Sequence, residues 1–425
     1  MKAGREQSGK FILLVLLFVF VSVCTYLHAD SPSIRRLTGV NWFGFETPDF
    51  VPHGLWSRDY KSMLRQIRDL GFNCIRLPWC NEMLGANPRN ITINEWVIDP
   101  YTGIRGLNLD LQGRSSLEVM DKIIAEADRL NLRIILDCHS RAAGAYYSET
   151  LWYTHEYSEE RWISDWKFIV DRYEDIDAVM AVDLNNEPHG GIYEQRMKPP
   201  ASWGYNVPGY GITDWKAAAE RCAKEILRED SSMIIIIQGV QESSDGSNYW
   251  WGSNHKDLRK YPVTTIDSNK ILYSVHEYGP GVEDMEWFHD PSFPDNLESI
   301  WRDRFWFIHE ENIGGLYIGE MGLKEEEAAD PNSIAHRWFT RWLQFAGHKV
   351  HWTYWSWNPD SHDTGGILKD DWVTVNPVKY GMIQPYLEPA YPTSAPTLTP
   401  TPYPTFAATS TPTPQPTWST PTPYP

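Results

Sequence analysis

Eight short apolar runs alternating with amphipathic helical stretches predict an α/β fold, a closed (β/α)8 TIM barrel built as one domain. Two further observations narrow the choice. The run Met233-Ile234-Ile235-Ile236-Ile237 is apolar at every position, as a strand buried on both faces of a parallel sheet must be. No glycine-rich phosphate loop follows the first strand run, which counts against the rival open, doubly wound sheet.

Taken in order, the first strand is expected over 39–43 (Gly-Val-Asn-Trp-Phe). A helix follows over 57–70, where Tyr60, Met63, Leu64, Ile67 and Leu70 recur at helical spacing. Residues 72–77 form the second strand, 115–130 a helix and 132–137 the third strand. Trp162, Trp166, Ile169, Val170 and Tyr173 mark one face of the next helix, which leads into a fourth strand over 178–182. Pro188 cannot continue a central strand, so this strand is expected to end at Glu187. An Ala-rich helix over 214–228 precedes the fifth strand at 233–237. The sixth and seventh strands, 271–275 and 316–318, are backed by helices over 297–308 and 333–345. His351-Trp352-Thr353-Tyr354-Trp355 is the eighth.

The chain has 425 residues, 42% of them apolar, enough for a substantial core. A formal net charge of −18 excludes nucleic acid as a natural partner, because phosphate binding needs clustered Lys and Arg. Tryptophan outnumbers phenylalanine, 21 to 15, which leaves rings for a substrate face. Flat apolar rings with a polar edge suit the C–H faces of sugars. Cys74, Cys80, Cys138 and Cys222 fit no zinc spacing, and Cys74 and Cys138 read as buried free thiols.

Lys2, Arg5 and Lys10 precede an uninterrupted apolar run over 11–23, and Ala29 offers a small residue before Asp30. This is the pattern of a cleaved leader over 1–29, giving a secreted, extracellular product with no stable membrane association. An uncleaved anchor is the alternative, since the run approaches spanning length. The barrel domain is assigned to 30–390. The remainder, 391–425, is almost entirely Thr, Pro, Ser and Ala, the composition of an extended spacer or tail.

In such barrels the reactive groups gather at the carboxyl ends of the strands. Those positions hold Arg76, His139, Asn186, Glu187, His276, Tyr278, Glu320 and Trp355. Each has a plain structural reading, as a mouth ion pair, a satisfied core histidine or packing, and Glu277 is a further carboxylate that competes for a role. Their conjunction around two strand-end glutamates suits hydrolysis of a glycosidic bond. The two histidines and two glutamates also raise zinc or a metal pair, but no His-x-His or His-x-x-x-His pair appears on an element. No metal and no cofactor is expected. A non-catalytic sugar-binding barrel would not need both glutamates.

The stretches Asn41-Trp42-Phe43-Gly44-Phe45-Glu46-Thr47, His53-Gly54-Leu55-Trp56-Ser57-Arg58-Asp59-Tyr60 and Ile75-Arg76-Leu77-Pro78 make the resemblance specific. So do Asn186-Glu187-Pro188-His189, Tyr249-Trp250-Trp251-Gly252, Gly319-Glu320 and Trp355-Ser356-Trp357-Asn358-Pro359-Asp360, the last continuing from Asp363 through Trp372. Over about 37–387 the chain resembles glycoside hydrolase family 5, and within it the secreted bacterial endo-β-1,4-glucanases of the actinobacterial type. The resemblance implies Glu187 as acid/base and Glu320 as nucleophile. It further implies that Asn186 holds the sugar 2-hydroxyl and that Arg76 and Tyr278 orient Glu320. His139 and His276 would line the cleaved-bond subsite, Trp355 would be its floor, and Trp56 and Trp251 would be outer platforms on opposite sides. The implied partner is a β-glucan polysaccharide bound by a monomer, with β-mannan as the alternative substrate.

Two departures from that family stand out. Relatives often carry disulfides in the loops after the first and third strands, where this chain has Pro48 and Ser140-Arg141-Ala142-Ala143. The loop after the sixth strand, 279–286, also differs and carries acids. For the implied chemistry, Glu187 must stay protonated while Glu320 stays ionised, with the two carboxyls about 5–5.5 Å apart for a retaining reaction.

Overall fold

The computed structural model describes residues 34–193 and 196–388, so the expected leader over 1–29 and tail over 391–425 lie outside the described residues. Eight parallel strands close into a barrel: β1 (Thr38–Asn41), β2 (Cys74–Cys80), β3 (Arg133–Ser140), β4 (Val179–Asp183), β5 (Ile234–Gln238), β6 (Ile271–Tyr278), β7 (Gly315–Gly322) and β8 (His351–Tyr354). Each strand pairs with its neighbours in sequence, and β1 closes the ring by pairing with both β2 and β8.

Side chains that alternate along the strands explain the interior. Leu37, Cys74, Ile135, Ala181, Ile236, Leu272 and Tyr317 form an apolar plug low in the barrel. One step up each strand, Asn41, Arg76, Asp137, Asp183 and Gln238 form a polar layer, fully buried. The larger apolar core lies between barrel and helices. Most of the tryptophans are spent there, and among the described ones Trp56, Trp96, Trp251, Trp287 and Trp355 alone are not buried.

The expected helices form, and their starts are set by caps. Asp59, Ser115, Ser158, Asp214 and Ser333 each accept a backbone N–H of the first turn. Ser115 and Glu118 complete a reciprocal capping box. The helix expected over 297–308 is interrupted by a π-helical segment, Arg302–Trp306.

Five strand ends differ by three residues or more from the sequence expectation, those of β2 (Cys80 against 77), β3 (Ser140 against 137), β4, β6 and β7. β4 stops at Asp183, so Glu187 lies beyond the strand rather than on its last residue. There the Glu187 backbone turns left-handed (φ 47°), and its N–H donates to Oε1 of Gln238 (2.8 Å) instead of to a ladder partner. β6 and β7 run further than expected because their pairing resumes after a bulge, setting His276 opposite Glu320. Polar residues there belong to the strands because the barrel mouth is lined by polar groups. Two hairpins leave the barrel, Asn94–Ile98 with Arg105–Leu107 and Gly191–Tyr193 with Arg196–Lys198. No helix among the described residues is long and apolar enough to cross a membrane.

All four cysteines of the described residues are buried free thiols. The loops after β1 and β3 meet without a disulfide: Gly144 donates its N–H to the Glu46 carbonyl (2.8 Å), and a Cβ on Gly144 would lie 3.7 Å from Pro48.

Candidate active site

The polar layer of the barrel is organised around Arg76. Its Nη1 donates to Oε1 of Glu320 (2.7 Å) and to Asn41, Nη2 donates to Asn186 Oδ1 (2.9 Å), and Nε donates to Asp183 Oδ2 (3.1 Å). Nη2 also lies 2.9 Å from Asp137 Oδ1. One buried cation thus faces three carboxylates. Burial opposes its charge, yet the three acids hold the Arg76 pKa well above its ordinary value. Burial pushes Asp137 and Asp183 up to about 7 against the pull of Arg76.

Glu320 is fixed from both sides, since Tyr278 Oη donates to its Oε2 (2.6 Å) while Arg76 holds Oε1. Its side chain is 5% exposed, against 21% for Glu187. Between them sits His276, its Nδ1 2.7 Å from Glu187 Oε1 and 3.4 Å from Glu320 Oε2. One donor atom from each of these three residues lies within 4.8 Å of the others. Burial drives Glu187 up to about 7 and His276 down to about 3. His276 is fully buried between the carboxylates and is not among the side chains lining the cavity, where the family resemblance implied it.

His139 Nδ1–H donates to Asp137 Oδ2 (2.7 Å), which leaves Nε2 as an acceptor for Asn186 Nδ2 (3.4 Å). The Asn186 amide is thereby oriented at both ends, its oxygen by Arg76 and its nitrogen by His139. One of its N–H bonds stays directed away from that contact.

These groups border a cavity of about 230 Å³ lined by His139, Asn186, Glu187, Tyr278, Glu320, Trp251 and Trp355, together with Tyr146, Tyr147, Trp250, Val282, Glu283 and Asp363. Trp355 stacks on His139 (5.7 Å) and on Phe43 (5.4 Å), and Ser361 accepts its indole N–H (3.0 Å). Trp251 forms a wall, with one face covered by His189 at 3.8 Å. Gly252, left-handed beside it, admits the close approach of the Glu187 backbone: a Cβ there would lie 2.8 Å from Glu187 Cα. Trp56 stands outside this cavity, on an aromatic row that runs Trp355, Phe43, His53, Trp56 and on to buried Trp372 (4.9 Å).

Glu277 points the other way. Among the helices it accepts from Trp301 and Trp338 (2.9 Å each) and from Tyr249. It is a structural acid and does not compete with Glu320.

Sequence reasoning passed over Asn41, Asp137, Asp183 and Gln238. A period-2 signal was present, because Arg76, Asp137 and Asp183 each lie two residues after an inward apolar residue (Cys74, Ile135, Ala181). Tyr146, Tyr147, Glu283 and Asp363 come from loops, where no such periodicity exists.

A barrel with two mouth carboxylates, one raised in pKa and one gripped by Arg and Tyr, defines a glycoside hydrolase. Residues 34–361 match the cellulase model of glycosyl hydrolase family 5, and the chain belongs to that family. It is 39% identical to an endoglucanase of Paenibacillus polymyxa over 87% of this chain and 88% of the relative. It is 37% identical to the major extracellular endoglucanase of Xanthomonas campestris over 84% of this chain and 68% of that one. An endocellulase of Pyrococcus horikoshii solved in complex with cellotetraose superposes with a TM-score of 0.73 at 38% identity, covering 83% of this chain and 93% of that chain.

Proposed function

We propose that the protein is an endo-β-1,4-glucanase, exported by its leader and acting outside the cell on cellulose and related β-glucans by a retaining double displacement. One observation carries the reading: Glu187 and Glu320 share His276 as a neighbour with donor atoms inside 4.8 Å, yet stand in opposite environments. That spacing leaves no room for a water between carboxylate and sugar, so attack by the carboxylate itself is favoured. The extracellular Xanthomonas relative supports export.

In the first step an oxygen of Glu320 bonds to the anomeric carbon as the glycosidic bond breaks. Its electron pair leaves on the departing oxygen, which takes the proton of Glu187. In the second step Glu187, now ionised, takes a proton from water. The hydroxide so formed displaces Glu320 and returns the first configuration. In this reading Asn186 donates to the 2-hydroxyl, and Trp355 offers its face to the sugar at the cleaved bond. No step calls on a metal or cofactor.

The test is a panel of soluble polysaccharides followed by viscosity and reducing ends together. Carboxymethyl-cellulose and mixed-linkage β-glucan should lose viscosity before much reducing sugar appears, and glucomannan should be cut moderately. Galactomannan as the best substrate by tenfold, or release of single sugars from chain ends only, overturns the reading.

A further inference from the structure

Of the five described tryptophans that are not buried, Trp251 and Trp355 line the cavity, Trp56 packs between His53 and Trp372 in the aromatic row, and Trp287 packs on Tyr249 (5.5 Å). Trp96 does none of these. It sits on the hairpin Asn94–Ile98/Arg105–Leu107 with 72% of its surface exposed. Five of the eleven exposed large apolar side chains among the described residues fall between Trp96 and Leu109: Trp96, Val97, Ile98, Ile104 and Leu109. Single exposed apolar side chains are ordinary, whereas a cluster marks an interaction surface.

The hairpin is held rigidly, and its anchor is the segment that carries Trp56. Thr92 donates its N–H to the Leu55 carbonyl (3.0 Å) and its hydroxyl to the Trp56 carbonyl (2.7 Å). At the other foot, Asn108 Nδ2 donates to the carbonyls of Leu55 (2.9 Å) and Arg58 (3.0 Å). Asp99, just past the first strand, turns inward and accepts from Ser62 (2.7 Å) and from the Asp59 N–H (3.0 Å). Trp96 lies in the irregular stretch between the pairs Asn94–Leu107 and Ile98–Arg105, and both it and Ile98 are exposed. Arg105 pairs with Ile98 and holds its guanidinium 5.9 Å from the Trp96 ring centre.

We infer that this hairpin is a docking surface for β-glucan, continuing the row Trp355, Phe43, His53, Trp56 beyond the cleft. The inference rests on the functional reading above. Two features select this occupant. The surface is bolted to the backbone of the segment that carries Trp56, the last partly exposed ring of the row, and its chemistry is an exposed indole with exposed aliphatic neighbours and a guanidinium able to donate to hydroxyls. An uncharged ribbon with apolar ring faces and equatorial hydroxyls complements all three. A chain or a bundle of chains held here would stay on the enzyme between cuts.

The experiment uses the full chain carrying Glu320→Gln, so that substrate is bound and not consumed. Trp96→Ala and, separately, Ile98→Ser are compared with this parent for retention on amorphous cellulose and for retardation in gels containing mixed-linkage β-glucan. Retention should fall at least threefold for Trp96→Ala and less for Ile98→Ser. In the otherwise unaltered enzyme, Trp96→Ala should leave hydrolysis of a two-sugar aryl glycoside at the parent rate, since that substrate does not reach the hairpin. Unchanged retention overturns the inference, and so does a parent dimer in light scattering that Trp96→Ala dissociates while retention holds. A parent that neither binds nor cuts β-glucan overturns the functional reading together with this inference. A parent that does both equally well without Trp96 overturns the inference alone.

Discussion

Nδ1 of His276 lies 2.7 Å from Oε1 of Glu187. Burial holds this imidazole neutral, pushed down to about 3, so its ring carries one proton. With the proton on Nδ1 it donates to an ionised carboxylate. With the proton on Nε2 it accepts from a protonated Glu187. Either state of the acid finds a partner, as an acid/base used in both directions of proton transfer requires. The carboxyl itself is raised to about 7 by burial. The kcat/KM for β-glucan should therefore fall as pH rises through about 7, where Glu187 loses its proton. With a dinitrophenyl cellobioside, whose leaving group needs no proton, this alkaline limb should flatten. Identical limbs for the two substrates would assign the titration to another group.

Glu187→Ala should lower kcat/KM on β-glucan by about 10²–10⁴-fold and spare the aryl glycoside far more. Azide, entering where the carboxylate was, should restore aryl turnover and give the β-azide product. Equal losses without rescue would remove Glu187 from the acid/base role. The Glu187, His276 and Glu320 donor set would also suit a divalent cation. Unchanged rates in EDTA are expected, and a chelator-sensitive rate would bring a metal into the chemistry.

A 2-fluoro cellobioside with a good leaving group should trap one residue, and peptide mapping should find the label on Glu320. Glu277 is the informative alternative, since it neighbours the site in sequence but faces Trp301 and Trp338 across the barrel wall. Labelling at Glu277 would contradict that geometry.

The barrel was legible because its strands are apolar runs and its helices carry period and caps. The two glutamates were legible because proline and glycine punctuate their strand ends. Less legible was anything that depends on two distant segments meeting. Nothing local in 133–140 says that Asp137 will face the same guanidinium as Asp183 and Glu320, since that meeting is a consequence of barrel closure. Strand ends are poorly marked in the sequence where the interior turns polar, as at His276 and Glu320, because apolar content stops there while the strand pairing continues. Trp56 and Trp96 illustrate the same point about distant segments: the first lies on a recognisable motif, while the hairpin carrying the second is tied to that segment by bonds of Thr92, Asp99 and Asn108 that nothing local announces.

Glu277 offers a stability prediction with a definite sign. Burial raises it to about 7, despite three side-chain donors. The unfolded carboxyl titrates near about 4.3. Between these values the native state binds the extra proton, so stability is present below about 4.3 and is lost as pH rises through about 7. Glu277→Gln fits the site, with its oxygen accepting both indoles and its amide donating to Tyr249. The Tm of the variant should match the parent near pH 4.5 and exceed it by a few degrees at pH 8. A gap that does not change with pH would show that Glu277 titrates normally in the folded protein.

Arg76→Met should be the most damaging single change in the barrel interior. It leaves Asp137, Asp183 and Glu320 facing one another without their shared cation, all three buried. Removing one partner of a buried ion pair typically costs about 3–5 kcal/mol, because the remaining charge is neither solvated nor compensated. With about 2.1 cal/mol/K of unfolding entropy per residue, a barrel spanning residues 34–388 shifts by only a little over about 1 °C per kcal/mol, so the melting temperature should drop by roughly 4–7 °C. Activity should vanish as well, since Glu320 loses its strongest donor and Asn186 loses the bond that orients its oxygen. Mere loss of packing would produce a similar drop, so the discriminating variant is Arg76→Met with Asp183→Asn. That second change deletes one stranded charge, while the amide oxygen it introduces can still accept from Gln238 Nε2, now 3.0–3.2 Å from the Asp183 oxygens. The double variant should therefore be more stable than Arg76→Met alone, although Asp183→Asn by itself should destabilise the parent. Simple additivity of the two losses, measured by urea denaturation, would mean that charge compensation by Arg76 is not what holds this layer together.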